Sequence, residues 1–491
     1  MKLQAIDGLS ELRDFAGPRT TEGLSDARLA PFASDPNLVR AIDEAVELHR
    51  ALRSRWGKEL AGPELELTCD LQAGYVNFYS PPTVNPYIAL AARGPWIVTT
   101  HGAVLHDSGG YGMLGLGHGP QRILDAMSRP WVMANIMTPS FSQARLIEAL
   151  RSNIGKARGH CPFHAFQCIN SGSESVTLAC RISDMNAKSM TDPGGKHAGK
   201  RPVFIAFEGA FHGRTDRPAV LSDSSRDAYR EHLASHRGAD QLVTVPANDV
   251  AALEATFRRV TEEGRFVELV AIEPVQGEGN PGIAVTREAY DAARALTLAH
   301  DSLLLIDSIQ AGFRGTGHLS VVDYPGFEDC EAPDLETYSK ALNAGQYPLS
   351  VLALSERAAN VFQPGMYGNT MTTNPRALEV AVEVLDAIDA DMQRNVREQG
   401  EHILRRLEDL RAKYPDLVVR NQGTGLLIAS VIRDDVRVVG NDGLEQRCRR
   451  RGLGVIHGGE NALRFTPHFG STDPEVELMI DVLDEVYAGA S

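Results

Sequence analysis

Between residues 163 and 306, short apolar runs alternate with helix-like stretches, and this alternation constrains the fold more than any other feature. Phe163–Ile169, Pro202–Phe207, Gln241–Val245, Leu269–Ile272 and Leu303–Ile306 read as strands, with helical stretches between most of them. Buried strands joined by helices form a largely parallel sheet covered by helices on both faces. Ligands of such sheets collect beyond the carboxyl ends of the strands. Asn170, Glu208, Glu273 and Asp307 each stand just past one of these strands. They are therefore expected to converge.

The flanks differ in character. Asp35-Pro36 opens an amphipathic helix with Leu38, Ile42, Ala45, Val46, His49 and Leu52 near one face. Short strands follow around Trp96–Thr99 and Ala103–His106. After Pro375, a helix capped by Asn374 carries Leu378, Ala381, Val382, Leu385 and Ile388. A second helix carries Val396, Ile403, Leu407 and Leu410, and short strands and a final helix from about Pro474 complete the chain. The expected division is an N-terminal segment at 1–94, which packs on the small domain or a partner subunit. A large domain at 95–374 and a small α+β domain at 375–491 follow.

A chain of 491 residues supports two or three such units. Its net charge of −15, with no basic stripe to offset it, argues against nucleic acid. No apolar run approaches the roughly 20 residues that span a bilayer, and the first residues lack signal-peptide features. A cytoplasmic protein with no membrane partner is expected. The six cysteines form no CxxC pair, so neither a disulfide framework nor a zinc ribbon is implied. His160, Cys161, His164 and Cys168 have poor spacing for a zinc finger, and the stretch reads better as a strand entering the core. No metal is expected.

Asp307 ends one apolar strand, and Lys340 lies past the next, followed by Ala341-Leu342-Asn343-Ala344-Gly345. Taken singly they would be a buried strand-end acid and a surface lysine. Together they are what pyridoxal phosphate requires, a lysine to hold the aldehyde as a Schiff base and a carboxylate to keep the ring nitrogen protonated. Asn170-Ser171-Gly172-Ser173-Glu174-Ser175 opens a helix whose exposed N–H groups and dipole favour a phosphate, although an ordinary serine cap has the same appearance. Phe207–Thr215 offers the ring of Phe211, the imidazole of His212 and the guanidinium of Arg214 in a glycine-bounded loop. Phe211 can stack on a flat cofactor, and Arg214 can grip a carboxylate. The plainer reading is a core phenylalanine and a solvated arginine. Glu273, at a buried strand end, needs a cationic partner, for which Arg464 is the candidate.

These segments carry a resemblance to the class III, or ω-amino acid, aminotransferases of the fold type I pyridoxal-phosphate superfamily. The matching motifs run in family order: GGYGMLGLGH at 109–118, NSGSES at 170–175, FEGAFHGRT at 207–215 and EPVQGEGN at 273–280. DSIQAGFRGTG at 307–317, SKALNAG at 339–345, YGNTMTTNP at 367–375 and LRFTP at 463–467 continue the series. The resemblance implies a large domain with a mostly parallel seven-stranded sheet sandwiched by helices, and a smaller α+β domain. It assigns Lys340 to the Schiff base, Asp307 to the pyridine nitrogen, Gln310 to the ring hydroxyl and Ile309 to the apolar surface under the ring. Phe211 becomes the stacking aromatic, with His212 beside it, and Gly172 and Ser173 become phosphate ligands. Thr370 resembles the threonine that reaches the neighbouring subunit's phosphate, which implies a homodimer with shared sites.

On the substrate side, Arg464 and Glu273 resemble the arginine–glutamate switch of ω-amine enzymes, and Arg214 resembles the arginine for the far carboxylate of 2-oxoglutarate. Tyr111 falls where ornithine aminotransferases carry a tyrosine, while the small-domain stretch is most like lysine 6-aminotransferases. Two departures stand out: Ser308 replaces the usual glutamate after Asp307, and His468 replaces the usual proline after Pro467. The expected activity is transfer of the terminal amino group of a lysine-, ornithine- or 4-aminobutyrate-type donor to 2-oxoglutarate, giving glutamate and a semialdehyde. An amino-acid racemase or epimerase would use the same lysine. A non-catalytic scaffold would not need Lys340, Asp307, Gln310 and Thr370 together.

Overall fold

The computed structural model describes residues 4–238 and 240–490; the side chains of residues 4–7 and of Tyr111 lie outside the described set. Two compact units result. One comprises Met1–Gln121, Glu398–Gln422 and Ile428–Ser491, the other Arg122–Arg397 and Gly423–Leu427. This partition groups residues 95–121 with the N-terminal segment, and residues 375–397 with the large sheet.

The second unit is built on a seven-stranded sheet of β1 (Ala165–Ile169), β2 (Arg201–Phe207), β3 (Leu242–Val245), β4 (Arg265–Ile272), β5 (Leu303–Asp307), β6 (Leu335–Tyr338) and β7 (Ser350–Leu354). Their spatial order is β1-β7-β6-β5-β4-β2-β3. Neighbours from β6 through β3 pair in parallel, and β7 runs antiparallel to both β6 and β1. The mostly parallel sheet expected from the alternation is present. Sequence reading did not assign β7, because a short apolar run without alternation does not distinguish strand from buried helix.

β4 begins four residues before the expected Leu269. Glu268, in this added stretch, is buried and bonded by Ser183 Oγ at 2.7 Å and Arg217 at 2.8 Å. Helix α1 (Gly172–Thr191) lays Val176, Leu178, Ala179, Cys180 and Ile182 on the sheet residues Leu269, Leu303, Leu305, Leu335 and Leu352. Burying such side chains stabilises by about 1.5–3 kcal/mol each, which holds the carboxyl edge of the sheet and the start of α1 in fixed relation. Helix α2 (Pro375–Ala387) starts as its sequence specifies, with Asn374 accepting from the Arg376 N–H at 3.0 Å and Pro375 in the first turn.

In the first unit, Asp35 caps the helix Pro36–Leu60, which buries Leu38, Ala41, Ile42, Ala45, Val46 and His49. Ala89–Arg93, Trp96–Thr99 and Val104–Asp107 form a small antiparallel sheet, to which Leu453–Gly454 adds in parallel. Ile456–Gly458 and Ala462–Phe465 belong to a second four-stranded sheet. Among the described residues, no helix is long and apolar enough to cross a membrane.

Candidate active site

The carboxyl edge of β5 presents Asp307, only 4% exposed. Its Oδ2 lies 2.9 Å from His212 Nδ1, while Oδ1 accepts from Thr337 Oγ1 at 3.0 Å and from the Ile309 N–H at 3.2 Å. Burial works against a charge on His212, but the hydrogen bond and charge of Asp307 outweigh it and raise the imidazole pKa. The pair is thus a buried carboxyl group bonded to an imidazole whose pKa it raises. Thr337 was not anticipated. It is the register partner of Asp307 across the parallel β5–β6 pair, a relation that sequence shows only once the two strands are aligned.

Glu273 follows β4 and is also buried. Within its unit, its oxygens accept the backbone N–H of Phe211 at 2.9 Å and of Gly277 at 3.0 Å. Two backbone dipoles therefore solvate a carboxylate for which sequence reading demanded a cation. Burial, followed by the nearby charge of Asp307, pushes its pKa up to about 7 against the pull of His212 and the two N–H groups. The loop after β2 thus meets both neighbouring strand ends, Phe211 through Glu273 and His212 through Asp307.

At the start of α1, Ser171 caps the Glu174 N–H. First-turn N–H groups have no intrahelical acceptor, so those of Gly172 and Ser173 can take an anion. Gly172 has a steric reason to be glycine, since a Cβ there would come within 2.8 Å of Ile309 Cδ1. Ser173 Oγ accepts the Arg214 N–H at 3.2 Å and joins this helix start to the Phe211 loop. Asn369 was not anticipated: it accepts from Asn170 Nδ2 at 2.9 Å and donates to Glu174 at 3.0 Å. Thr370, next in sequence, is exposed and lines a concavity of about 620 Å³ with Ile136, Met137 and Tyr367.

Lys340 is half-buried and follows β6 with φ of 45°, in the left-handed region that residues with a side chain seldom occupy. The turn is held by Ser339 Oγ and Asn343 Nδ2, both donating to the Leu349 carbonyl, at 2.7 and 3.0 Å. Such strain persists only where surroundings over-determine it, and it clusters at functional sites. Gln310 is buried just past Asp307, and a Cβ on Gly277 would lie 2.3 Å from its Cδ. The loop after β4 is therefore closely packed on the loop after β5.

The substrate-side residues are less concentrated. The Arg214 guanidinium lies over the Phe211 ring, 4.6 Å from the centroid, and 3.8 Å from Glu278. Arg464 is buried within the first unit, on Ala462–Phe465. The side chain of Tyr111 lies outside the described residues. Ser308 turns away from the Asp307 cluster and donates to Glu336 on β6 at 2.6 Å. Glu336 also accepts Ser320 Oγ at 2.6 Å and the Val321 N–H at 2.9 Å, and burial raises its pKa to about 7.

The aminotransferase class-III family profile matches residues 79–487. The chain belongs to the class-III aminotransferases. Acetylornithine aminotransferase of Neisseria meningitidis serogroup B is 30% identical over 398 residues, covering 80% of this chain and 92% of that protein. Putrescine aminotransferase of Pectobacterium atrosepticum is 29% identical over 353 residues, 70% of each chain. An ornithine aminotransferase structure from Toxoplasma gondii, described with partial pyridoxal phosphate occupancy, shares the fold with a TM-score of 0.73 at 22% identity. That match covers 87% of this chain and 94% of that one.

Class-III aminotransferases depend on pyridoxal phosphate, and the residues of this aminotransferase fit the group. Asp307 stands at a buried strand end with both oxygens bonded, where a ring N–H could be held. The start of α1 offers N–H groups to a phosphate, and Gly172 leaves space beside Ile309.

Proposed function

We propose that this aminotransferase moves the terminal amino group of a diamino or ω-amino acid to 2-oxoglutarate, working as a homodimer with shared sites. The observation that carries the reading is the pairing, on adjacent strand ends, of a firmly held Asp307 with a Glu273 poised near neutrality. The relatives are named for acetylornithine and putrescine. Putrescine carries a primary amine at the end of an unbranched carbon chain, which supports a terminal amine as donor.

Pyridoxal phosphate, when bound, supplies an aldehyde for the amine and a protonated ring that accepts electron density from the reacting carbon. Lys340 would hold the aldehyde, and its amine, when free, would be the base that moves the proton of the amine-bearing carbon. Asp307 would keep the ring nitrogen protonated, with His212 and Thr337 orienting its carboxylate. Gln310 would donate to the ring hydroxyl, Ile309 and Phe211 would face the ring, and Gly172 and Ser173 would take the phosphate. Glu273, with a pKa raised to about 7, is the group proposed to respond to the difference between an ω-amine and glutamate, and Arg464 is proposed for the α-carboxylate of glutamate. Arg214 takes the far carboxylate of 2-oxoglutarate.

Exposed apolar side chains at Val132, Met133, Ile136, Met137 and Phe141 support a second subunit, because soluble monomers seldom leave such a group uncovered. The test is a panel of lysine, ornithine, N-acetylornithine, 4-aminobutyrate and putrescine with 2-oxoglutarate, read as glutamate formed. Glutamate from at least one terminal amine is expected. Solvent exchange of an α-proton without glutamate formation would overturn the reading.

A further inference from the structure

His468, the residue that departs from the usual proline, is absorbed by none of the roles above. It meets two other side chains within the first unit, His106 and Glu475. His106 is 2% exposed and ends the small antiparallel sheet, whereas Glu475 is 6% exposed in the first turn of the helix Asp473–Ala488. Glu475 Oε1 lies 3.3 Å from His468 Nε2 and 3.6 Å from His106 Nε2. These separations exceed the roughly 2.7–2.9 Å of a charge-assisted hydrogen bond. They are close to the separation of about 3.3 Å that two ligands adopt around a tetrahedral zinc ion at about 2.05 Å. All the ligand atoms lie within 4.8 Å of one another, and His468 is half-buried.

The surroundings are those of ligands already oriented. His106 Nδ1 lies 3.0 Å from Ser108 Oγ; donation there leaves the Nε2 lone pair facing the cluster, and Nε2 is buried without a hydrogen-bond partner. Glu475 Oε2 is occupied by the Thr472 N–H at 2.7 Å and Thr472 Oγ1 at 2.8 Å, so only Oε1 faces the imidazoles. His468 sits in a turn fixed by Ser471 Oγ donating to its carbonyl at 2.6 Å. Partners that set tautomer and orientation in this way are what metal-bound histidines and carboxylates ordinarily have.

We propose that His106, His468 and Glu475 form a site for a divalent ion of the zinc class, with water in the fourth position. Two imidazoles and a carboxylate suit zinc, cobalt and nickel rather than magnesium or calcium. Such an ion fastens three segments: the end of Val104–Asp107, the stretch after Ala462–Phe465 and the start of the last helix. The Thr466 N–H already donates to the Ser108 carbonyl between the first two, at 2.6 Å. Arg464 and Tyr111 lie four and five residues from ligands of the site in sequence. The site is separate from the amino-transfer reading and stands whichever donor that reaction uses.

The test is titration of chelator-treated, cofactor-loaded enzyme with zinc chloride by calorimetry, and with cobalt(II) by visible spectroscopy. One ion per chain is expected, with cobalt bands near those of four- or five-coordinate sites. His468→Ala should weaken binding at least roughly 100-fold, and Ser108→Ala, which removes only an orienting partner, roughly tenfold. His232→Ala, an exposed histidine elsewhere, should bind as the wild type. The proposal is overturned if the wild type binds no ion, or if His468→Ala and Ser108→Ala bind with unchanged affinity and stoichiometry.

Discussion

Thr337→Val deletes one hydroxyl and keeps the side-chain shape, at a position with no solvent exposure. The hydroxyl donates to Asp307 Oδ1 at 3.0 Å, and without it that oxygen retains only the longer Ile309 N–H bond of 3.2 Å. A hydrogen bond to a charged acceptor contributes about 1.5–3 kcal/mol. Its loss leaves less firmly held the carboxylate that the proposed function places at the ring nitrogen. If the whole difference is expressed in the transition state, the rate falls roughly 10- to 150-fold. The assay is the single-turnover amino-donor half-reaction, followed by the cofactor's visible absorbance at saturating cofactor. Ser308→Ala is the control, because Ser308 is adjacent to Asp307 in sequence but bonds Glu336 instead. It should react within about twofold of the wild type while losing about 1 kcal/mol of stability. A well-folded Thr337→Val enzyme with the wild-type rate, or an equal loss in Ser308→Ala, would refute the reasoning.

Lys340→Ala should abolish turnover and the visible absorbance of lysine-bound cofactor while retaining phosphate-dependent binding, measured spectrally and by equilibrium dialysis. Mixing Lys340→Ala with an inactive Thr370→Val enzyme should restore activity in heterodimers, as one of the two sites regains both residues; a fully active monomer at dilution would sink the shared site. Glu336, with a pKa raised from 4.5 to about 7 by burial, contributes stability that is complete below pH 4.5 and lost as pH rises through about 7. Wild type should therefore lose up to ~3 kcal/mol relative to Glu336→Gln across that window, read as diverging urea midpoints; parallel profiles would contradict it. Glu273→Gln should slow the half-reaction of ω-amine donors roughly ten- to a hundredfold and spare that of glutamate, whereas equal effects on both would remove the switch.

The sequence reading reached the sheet because β2, β4 and β5 are apolar runs with helices between them, a pattern that hydrophobic burial imposes directly. It reached the converging loops because parallel strands put all their carboxyl ends on one edge. It missed what depends on register and on distant pairing. Thr337 meets Asp307 only through the β5–β6 alignment, and Asn369 reaches Asn170 across 199 positions. The first residues of β4 likewise lie outside the expected strand, and the charge of Glu268 there is buried only through its distant partners Ser183 and Arg217. Ser308 read as a lost carboxylate near the site, and the structure turns it toward Glu336 on the neighbouring strand instead.

Asp307, Glu273 and Glu336 lie on adjacent strands or just past them, all are buried, and each is held by a different set of donors. Asp307 faces an imidazole, a hydroxyl and one N–H, and it raises the pKa of the His212 imidazole that it holds in place. Glu273 has only two backbone N–H groups within its unit, and the charge of Asp307 adds to burial in raising its pKa to about 7. A carboxyl group in that state is the one most readily moved by what binds beside it. A guanidinium or a donor's ammonium draws the proton off, because an opposite charge within a few ångströms favours the ionised form. A substrate carboxylate drives the proton on. Asp307 is tied on both oxygens, to His212 on one and to Thr337 and the Ile309 N–H on the other. On the proposed function the two carboxylates divide the work: Asp307 at the ring nitrogen, and Glu273, with a pKa raised to about 7, where donor and acceptor would differ by a carboxylate.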